Sequence, residues 1–129
     1  RMKNLDLPLV YSWSGCSQAA QLANRLAVGL DRRQLAEMSC IAGIGGQVKP
    51  ILKLARSGRP ILAIDGCALS CTKHSLNNAG VQEHQHLQLA DYGLRKKCSD
   101  EYSDEVLEEL LQMVQRRILP ELIPLTTIT

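Results

Sequence analysis

The sequence predicts an α/β fold, a three-layer sandwich whose mostly parallel sheet of about four strands carries helices on both faces. Short apolar segments alternate along the chain with longer segments whose apolar residues recur every three or four positions. Residues 61–64, Ile-Leu-Ala-Ile, form a continuous apolar run between Gly58-Arg59-Pro60 and Asp65-Gly66. Such a run is typical of a strand buried on both faces of a parallel sheet. Strands that alternate with helices form sheets covered on both sides.

The first half of the chain predicts two strands and two helices. Residues 5–11 read as the first strand, and residues 17–30 as a helix with apolar positions three and four apart. A second strand of mixed pattern spans residues 35–41, before a glycine-rich turn at 43–46. That turn is either a tight connection beside the site or a segment whose backbone N–H groups bind an anion. A helix over residues 48–57 follows, with Gly58 where a C-terminal cap belongs.

The second half repeats the pattern around the buried strand at 61–64. A helix is expected to begin directly after Asp65-Gly66 and to end near residue 80, and a fourth strand spans residues 86–90. The last helix covers residues 104–118, with acids in its first turn and arginines in its last, the order that a helix dipole favours. The tail, residues 119–129, reads either as a final strand or as an arm that contacts a partner.

Length and composition predict one domain over residues 1–129, with its core at about 5–118. A net charge of +2 with scattered basic residues argues against a nucleic-acid partner, and four aromatic residues offer no platform for stacking bases. No apolar run approaches the roughly 18 residues of a membrane span. The amino-terminal residues lack the apolar core of a signal peptide, so we expect a cytoplasmic protein. Whether it pairs as a homodimer or binds another protein stays open.

The cysteines supply the candidate site. Five cysteines, an odd number in a chain expected to be cytoplasmic, favour metal or thiol chemistry over a disulfide framework. Cys16 follows the first predicted strand, Cys40 ends the second, and Cys67 and Cys71 follow the third. Because the carboxyl ends of parallel strands share one edge, we expect these four thiols to converge there. Cys98 reads as an incidental exposed thiol.

Four converging thiols suit a metal ion. Tetrahedral four-cysteine sites hold zinc with Zn–S distances near 2.3 Å, and they also hold iron–sulfur clusters, the less favoured cofactor here. With Cys67 and Cys71 on one predicted helix, their Cβ atoms would be about 5–6 Å apart, too far for an undistorted disulfide. His74, three residues after Cys71, is a less favoured additional ligand. The competing interpretation is that some of these cysteines, Cys40 above all, are small buried apolar residues.

A second hypothesis is thiol chemistry. Cys16 and Cys67 lie at predicted helix amino termini, where the pKa of a thiol is lowered, so either could serve a redox or sulfur-transfer protein as its nucleophile. The residues after Cys16 contain no arginine for a phosphatase loop, and the Cys67–Cys71 spacing is not that of thioredoxin. A closed four-thiolate site would not activate water. Whether the protein is an enzyme stays open, and a non-enzymatic role is favoured.

Three other polar features have simpler interpretations. Asp65 either orients a ligand or caps the helix that follows it. His84 and His86, alternate residues near the fourth strand, are expected at the surface. None of them is needed for the four-cysteine hypothesis.

Several ordered motifs, spread over roughly residues 9–97, resemble the DGC-domain family of small bacterial and archaeal proteins described as zinc-binding. They are Ser14-Gly15-Cys16-Ser17, Ala20-Gln21-Leu22-Ala23, Glu37-Met38-Ser39-Cys40-Ile41-Ala42-Gly43, Ser57-Gly58-Arg59-Pro60 and the central Asp65-Gly66-Cys67. The resemblance implies that Cys16, Cys40, Cys67 and Cys71 chelate the metal. Whether the metal serves homeostasis, sensing or structure is not implied.

The chain also departs from the family pattern. Family members often carry a further cysteine three residues before the first, where Trp13 stands here, and some carry one near Ser75. Trp13 therefore either replaces a ligand, which would weaken or abolish metal binding, or covers the site as an apolar lid.

Overall fold

Four parallel strands form the sheet of the computed structural model, which describes residues 7–13, 15, 17–82, 84–94 and 102–122. The strands are β1 (Leu9–Ser12), β2 (Glu37–Met38), β3 (Ile61–Asp65) and β4 (Gln85–Gln88). Their spatial order is β2-β1-β3-β4, and each neighbouring pair is parallel. The predicted α/β fold with a parallel sheet of about four strands is confirmed.

Helices lie on both faces of this sheet. They are α1 (Gln18–Arg32), α2 (Ile41–Gly45), α3 (Lys49–Ala55), α4 (Cys71–Asn78), α5 (Asp104–Met113) and α6 (Leu119–Leu122). A 3₁₀ turn at Leu89–Tyr92 follows β4, and a π-helical turn at Val114–Ile118 joins α5 to α6. None of the helices in the described part of the chain has both the length and the apolar character needed to cross a bilayer.

The sheet separates two apolar cores because successive strand residues point to opposite faces. Val10, Leu62 and Ile64 pack on one face against α1 and α5. Leu9, Tyr11, Ile61 and Ala63 pack on the other face, against α2, α3 and α4. Together these layers make the predicted three-layer sandwich, and the scarcity of aromatic residues leaves its core almost wholly aliphatic.

The connections determine where a crevice opens. From β1 the chain crosses through α1 to β2 on one side, whereas from β3 it crosses through α4 to β4 on the other. The two crossovers therefore diverge between β1 and β3. In open parallel sheets, ligands bind outside the carboxyl ends of the strands at this point of divergence.

A buried ion pair joins three strands at the opposite, amino edge of the sheet. The Arg59 guanidinium lies 2.9 Å from the Glu37 carboxylate and donates to the Leu7 carbonyl at 2.8 and 3.2 Å. Both charged side chains are only 9% exposed. Arg59 thus links the segment that enters β3 to the start of β2 and to the segment that enters β1.

Several predicted boundaries in the first half are wrong. β1 begins at Leu9, after Pro8, which cannot donate a hydrogen bond to the sheet. β2 is only Glu37–Met38, and the glycine-rich segment predicted as a turn is the helix α2. Gly43 lets α2 and α3 pack closely, because a Cβ atom there would lie 2.8 Å from the Ile51 side chain of α3. The helix α2 is therefore packed against the next helix of the chain at a position that only glycine fits without a shift of Ile51.

In the second half, α4 begins at Cys71 rather than directly after Gly66, and a five-residue loop, 66–70, precedes it. The last helical region runs beyond the predicted end at residue 118 into α6. The tail was predicted as a strand or an arm, but its first four residues are helical, and residues 123–129 lie outside the described residues.

Candidate functional site

A crevice of about 180 Å³ opens at the carboxyl ends of β1 and β3, where the two crossovers diverge. Two segments contribute its walls: the segment from the end of β1 into α1, and the loop 66–70 with its flanking residues. The lining residues are Trp13, Gly15, Ser17, Ala20, Asp65, Gly66, Cys67, Leu69 and Cys71. The central motif of the family resemblance therefore lies in the position where this class of sheet binds ligands.

Gly66 brings the loop against α1. A Cβ atom at this position would lie 2.1 Å from the Ala19 carbonyl oxygen and 2.7 Å from the Ala20 nitrogen. Any side chain here would collide with helix backbone, which cannot move aside as a flexible side chain can. Glycine is required by this contact, and the contact places Cys67 beside the first turn of α1.

Asp65, the last residue of β3, caps α4 although the loop 66–70 separates it from that helix in the sequence. Its buried carboxylate accepts hydrogen bonds from the Thr72 N–H at 2.8 Å and the Lys73 N–H at 3.1 Å. Its Oδ2 atom also lies 2.8 Å from His86 Nε2. Of the two roles left open by the sequence, the structure shows the cap, and both carboxylate oxygens are already engaged in it.

Gln88 holds the loop from β4. Its side-chain nitrogen donates to the Cys67 carbonyl at 2.7 Å and to the Ser70 hydroxyl at 3.0 Å. Ser70 adopts the left-handed conformation with φ of 54°, which a residue with a side chain rarely adopts. The buried Gln88 therefore fixes both the carbonyl of a site cysteine and the strained residue that precedes α4.

Cys67 and Cys71 share the crevice, but not by the predicted geometry. Both thiols are free and partly buried, and both line the crevice. Cys67 lies in the loop, where its Sγ accepts from the Leu69 N–H at 3.4 Å, and only Cys71 lies in α4, as its first residue. The argument that placed both on one helical face is therefore wrong, because the loop 66–70 turns before the helix starts.

Cys40 lies at the same edge of the sheet but does not line this crevice. Its exposed thiol accepts from the Gly43 N–H at 3.4 Å and caps α2. β1 separates its strand from β3, a distance of roughly 9–10 Å across two strand spacings. α2 nevertheless packs against α4, so Cys40 and Cys71 begin two helices that are in contact.

Cys16 and Cys98 lie outside the described residues. Within the residues that are described, no three of the His, Cys, Asp and Glu side chains form a group that could hold a metal ion. The convergence of four thiols, which requires Cys16, therefore stays a prediction. His74, the less favoured ligand, is exposed on α4.

His84 and His86 were predicted at the surface, but both are partly buried. His86 is partly buried against Asp65, and His84 Nε2 lies 2.9 Å from Asn77 Oδ1. Burial, with further contributions from His86 and Lys73, lowers the pKa of His84 below its usual value. The sequence did not identify His86 and Gln88 as residues that support the site. Their contacts with Asp65 and Cys67 follow from the pairing of β4 with β3, which no pattern within β4 indicates.

The rim of the crevice is apolar. The Trp13 side chain is 42% exposed and the Leu69 side chain 69% exposed, and both line the crevice that holds the two thiols. Trp13 packs beside Gly15, where a Cβ atom would lie 3.3 Å from the indole nitrogen. The residue that departs from the family pattern is thus a wall of the same crevice.

Comparison with known proteins agrees with these features. The family model described as the DGC domain matches residues 9–114. This chain belongs to the DGC-domain family. Each residue of the DGC motif has a distinct structural role here, because Asp65 caps α4, Gly66 contacts α1 and Cys67 lines the crevice.

The DGC-domain chain also resembles the Anaerobic and virulence modulator AnvM of Pseudomonas aeruginosa. The two are 51% identical over 114 residues, which cover 88% of this chain and 87% of that protein. No solved structure matches the chain significantly.

Proposed function

We propose that this DGC-domain protein binds a thiophilic metal ion, zinc, through Cys16, Cys40, Cys67 and Cys71, and serves metal homeostasis or sensing. The observation that carries the proposal is that Cys67 and Cys71, two free thiols, share the crevice at the divergence of the crossovers. Thiolates are the preferred ligands of structural zinc.

The chemistry of the crevice supports a thiolate site. Asp65 lines it, but its oxygens already accept hydrogen bonds from α4 and contact His86, so the sulfur atoms are its available donors. Cys40 begins a helix that packs against α4, so Cys40 and Cys71 stand at the starts of two helices in contact. When bound, zinc would link the loop 66–70 to the segments that carry the other proposed cysteine ligands.

A regulatory role agrees with the relative. AnvM is named a modulator, and a closed four-thiolate site offers no open position for activating water. We therefore propose that metal occupancy changes how the protein engages other molecules, with the apolar rim of Trp13 and Leu69 exposed beside the site.

Metal analysis of anaerobically purified protein tests this proposal. We expect stoichiometric zinc in the wild type and its loss in Cys67→Ser and Cys71→Ser, because each variant removes a ligand. Cys98→Ser is the matched control, and its zinc content should equal that of the wild type. A wild-type protein that stays metal-free after zinc is supplied would contradict the proposal.

The alternative is a thiol-redox or sulfur-transfer protein that uses Cys16 or Cys67 as its nucleophile. The partial exposure of Cys67 beside a second free thiol, Cys71, favours it. Rapid alkylation of Cys16 or Cys67 by iodoacetamide at neutral pH, in a metal-free protein, would support this alternative over zinc binding. A brown protein that contains iron would instead indicate an iron–sulfur cluster.

A further inference from the structure

Helix α3 presents a row of cations to solvent. Lys49, Lys53 and Arg56 are spaced four and three residues apart, so they share one face of the helix, and all three are exposed. With Leu52 and Ser57 they line a shallow depression of about 630 Å³, and these five residues are called the α3 surface below. The partly buried Leu52 gives this surface an apolar centre.

The charge of the α3 surface is not balanced by nearby acids. Residues 38–82, which form α2, α3, β3 and α4, contain five Lys and Arg residues but a single acid, Asp65, and one of the five, Arg59, is buried in its pair with Glu37. Asp65 is only 2% exposed and caps α4. On the opposite side of the sheet, α5 carries four acids in its first six residues, and two of them, Asp104 and Glu108, pair with Arg25 in α1 and Arg33 directly after it. The cations of the α3 surface have no such acidic partner within the described residues.

This arrangement does not stabilise α3 itself. Lys49 stands in the first turn of the helix, where a positive charge opposes the helix dipole, and that turn contains no acid. Lys49 and Lys53, four residues apart with like charge, repel each other, and neither forms an ion pair within the described residues. Arg56 donates to the Ala79 carbonyl at 2.7 and 3.2 Å, which holds its guanidinium at the surface.

We propose that the α3 surface docks an acidic, amphipathic segment of a protein partner. A partner helix with carboxylates at matching spacing would pair with Lys49, Lys53 and Arg56, while an apolar side chain would contact Leu52 and Val48, which is 47% exposed. Single-stranded nucleic acid fits less well, because residues 14–91 contain no aromatic side chain for stacking. This inference requires neither metal nor thiol chemistry and goes beyond the proposed function.

The test uses the full chain and a synthetic helical peptide of glutamate, leucine and alanine that presents glutamates every three to four residues beside one leucine stripe. We expect binding that weakens with added salt and NMR shift changes concentrated at residues 48–57. Lys49→Glu combined with Lys53→Glu should weaken binding by about tenfold or more, because like charges would then face each other. Circular dichroism checks that this variant folds.

Matched controls separate a docking surface from general charge attraction. Arg116→Glu with Arg117→Glu reverses two exposed cations elsewhere and should leave peptide binding unchanged. A scrambled peptide of equal charge should bind more weakly. Equal effects of both reversals, equal binding of the scrambled peptide or no binding at all would overturn the proposal. Tighter binding to duplex DNA or to phosphatidylserine vesicles through the same lysines would also overturn it.

Discussion

Gly66 lies so close to Ala19 that a Cβ atom on Gly66 would stand 2.1 Å from the Ala19 carbonyl oxygen. This contact joins the loop after β3 to the first turn of α1, the two segments that form the crevice. The crevice therefore depends on the absence of one side-chain atom, and the contact can be tested directly.

Gly66→Ala should destabilise the protein by about 1–3 kcal/mol or more, because the new methyl group must displace helix backbone. Urea denaturation measures the free energy of unfolding. Gly45→Ala is the control, since nothing lies within 4 Å of its added Cβ and alanine is the better helix former. Equal stability of the Gly66→Ala protein and the wild type would show that the two segments do not meet in this way.

Gln88→Ala should release the loop that carries Cys67. It removes both the donor to the Cys67 carbonyl and the contact with Ser70, at a cost of about 0.5–1.5 kcal/mol for each hydrogen bond. We expect faster alkylation of Cys67 in the metal-free variant, measured by mass spectrometry. Gln85→Ala, in the same strand but without a side-chain hydrogen bond within the described residues, should react at the wild-type rate. An unchanged Cys67 rate in Gln88→Ala would refute this positioning role.

Glu37→Gln should destabilise the protein by about 3–5 kcal/mol, because Arg59 would remain buried without its carboxylate. The control is Glu108→Gln, which breaks the exposed Arg33 pair and should change stability little. Chemical denaturation at neutral pH measures both. Similar small losses in the two variants would mean that the Glu37 pair is as well solvated as the surface pair.

His84 should make the folded state less stable in acid. Burial lowers its pKa below the ordinary value of 6.5, so below that pH the unfolded chain binds more protons than the folded chain. Stability is therefore lost as the pH falls from about 6.5 towards the folded-state pKa, and above this window His84 contributes no slope.

Urea denaturation at about pH 8 and about pH 5.5 measures this slope. His84→Gln should lose less stability between the two values than the wild type does. His74→Gln, at an exposed position of α4, should keep the wild-type dependence. A His84→Gln protein with the full wild-type slope would assign the acid sensitivity to other groups.

The sequence predicted a strand or helix correctly where the residues of that one segment contain the identifying pattern. A continuous apolar run identified β3, because a strand buried on both faces is apolar at consecutive positions. The regular spacing of apolar residues identified α1, because it follows the period of a helix. The glycine-rich segment was predicted as a turn but is helical, and its Gly43 packs against Ile51 of the next helix, a contact that no local pattern indicates. The start of α4 was misread for a similar reason, since Asp65 and Gln88 hold the preceding loop from other strands.

By itself the sequence determined the parallel α/β architecture, the family, and Cys67 and Cys71 as residues of one candidate site, because periodicity and motifs are properties of neighbouring residues. Only the tertiary structure decided that Cys67 lies in a loop rather than a helix, and that Gln88 and His86 support the site. Those relations arise from the order β2-β1-β3-β4, which sets distant segments side by side. Strand order depends on packing across the whole sheet and is not encoded in any one segment.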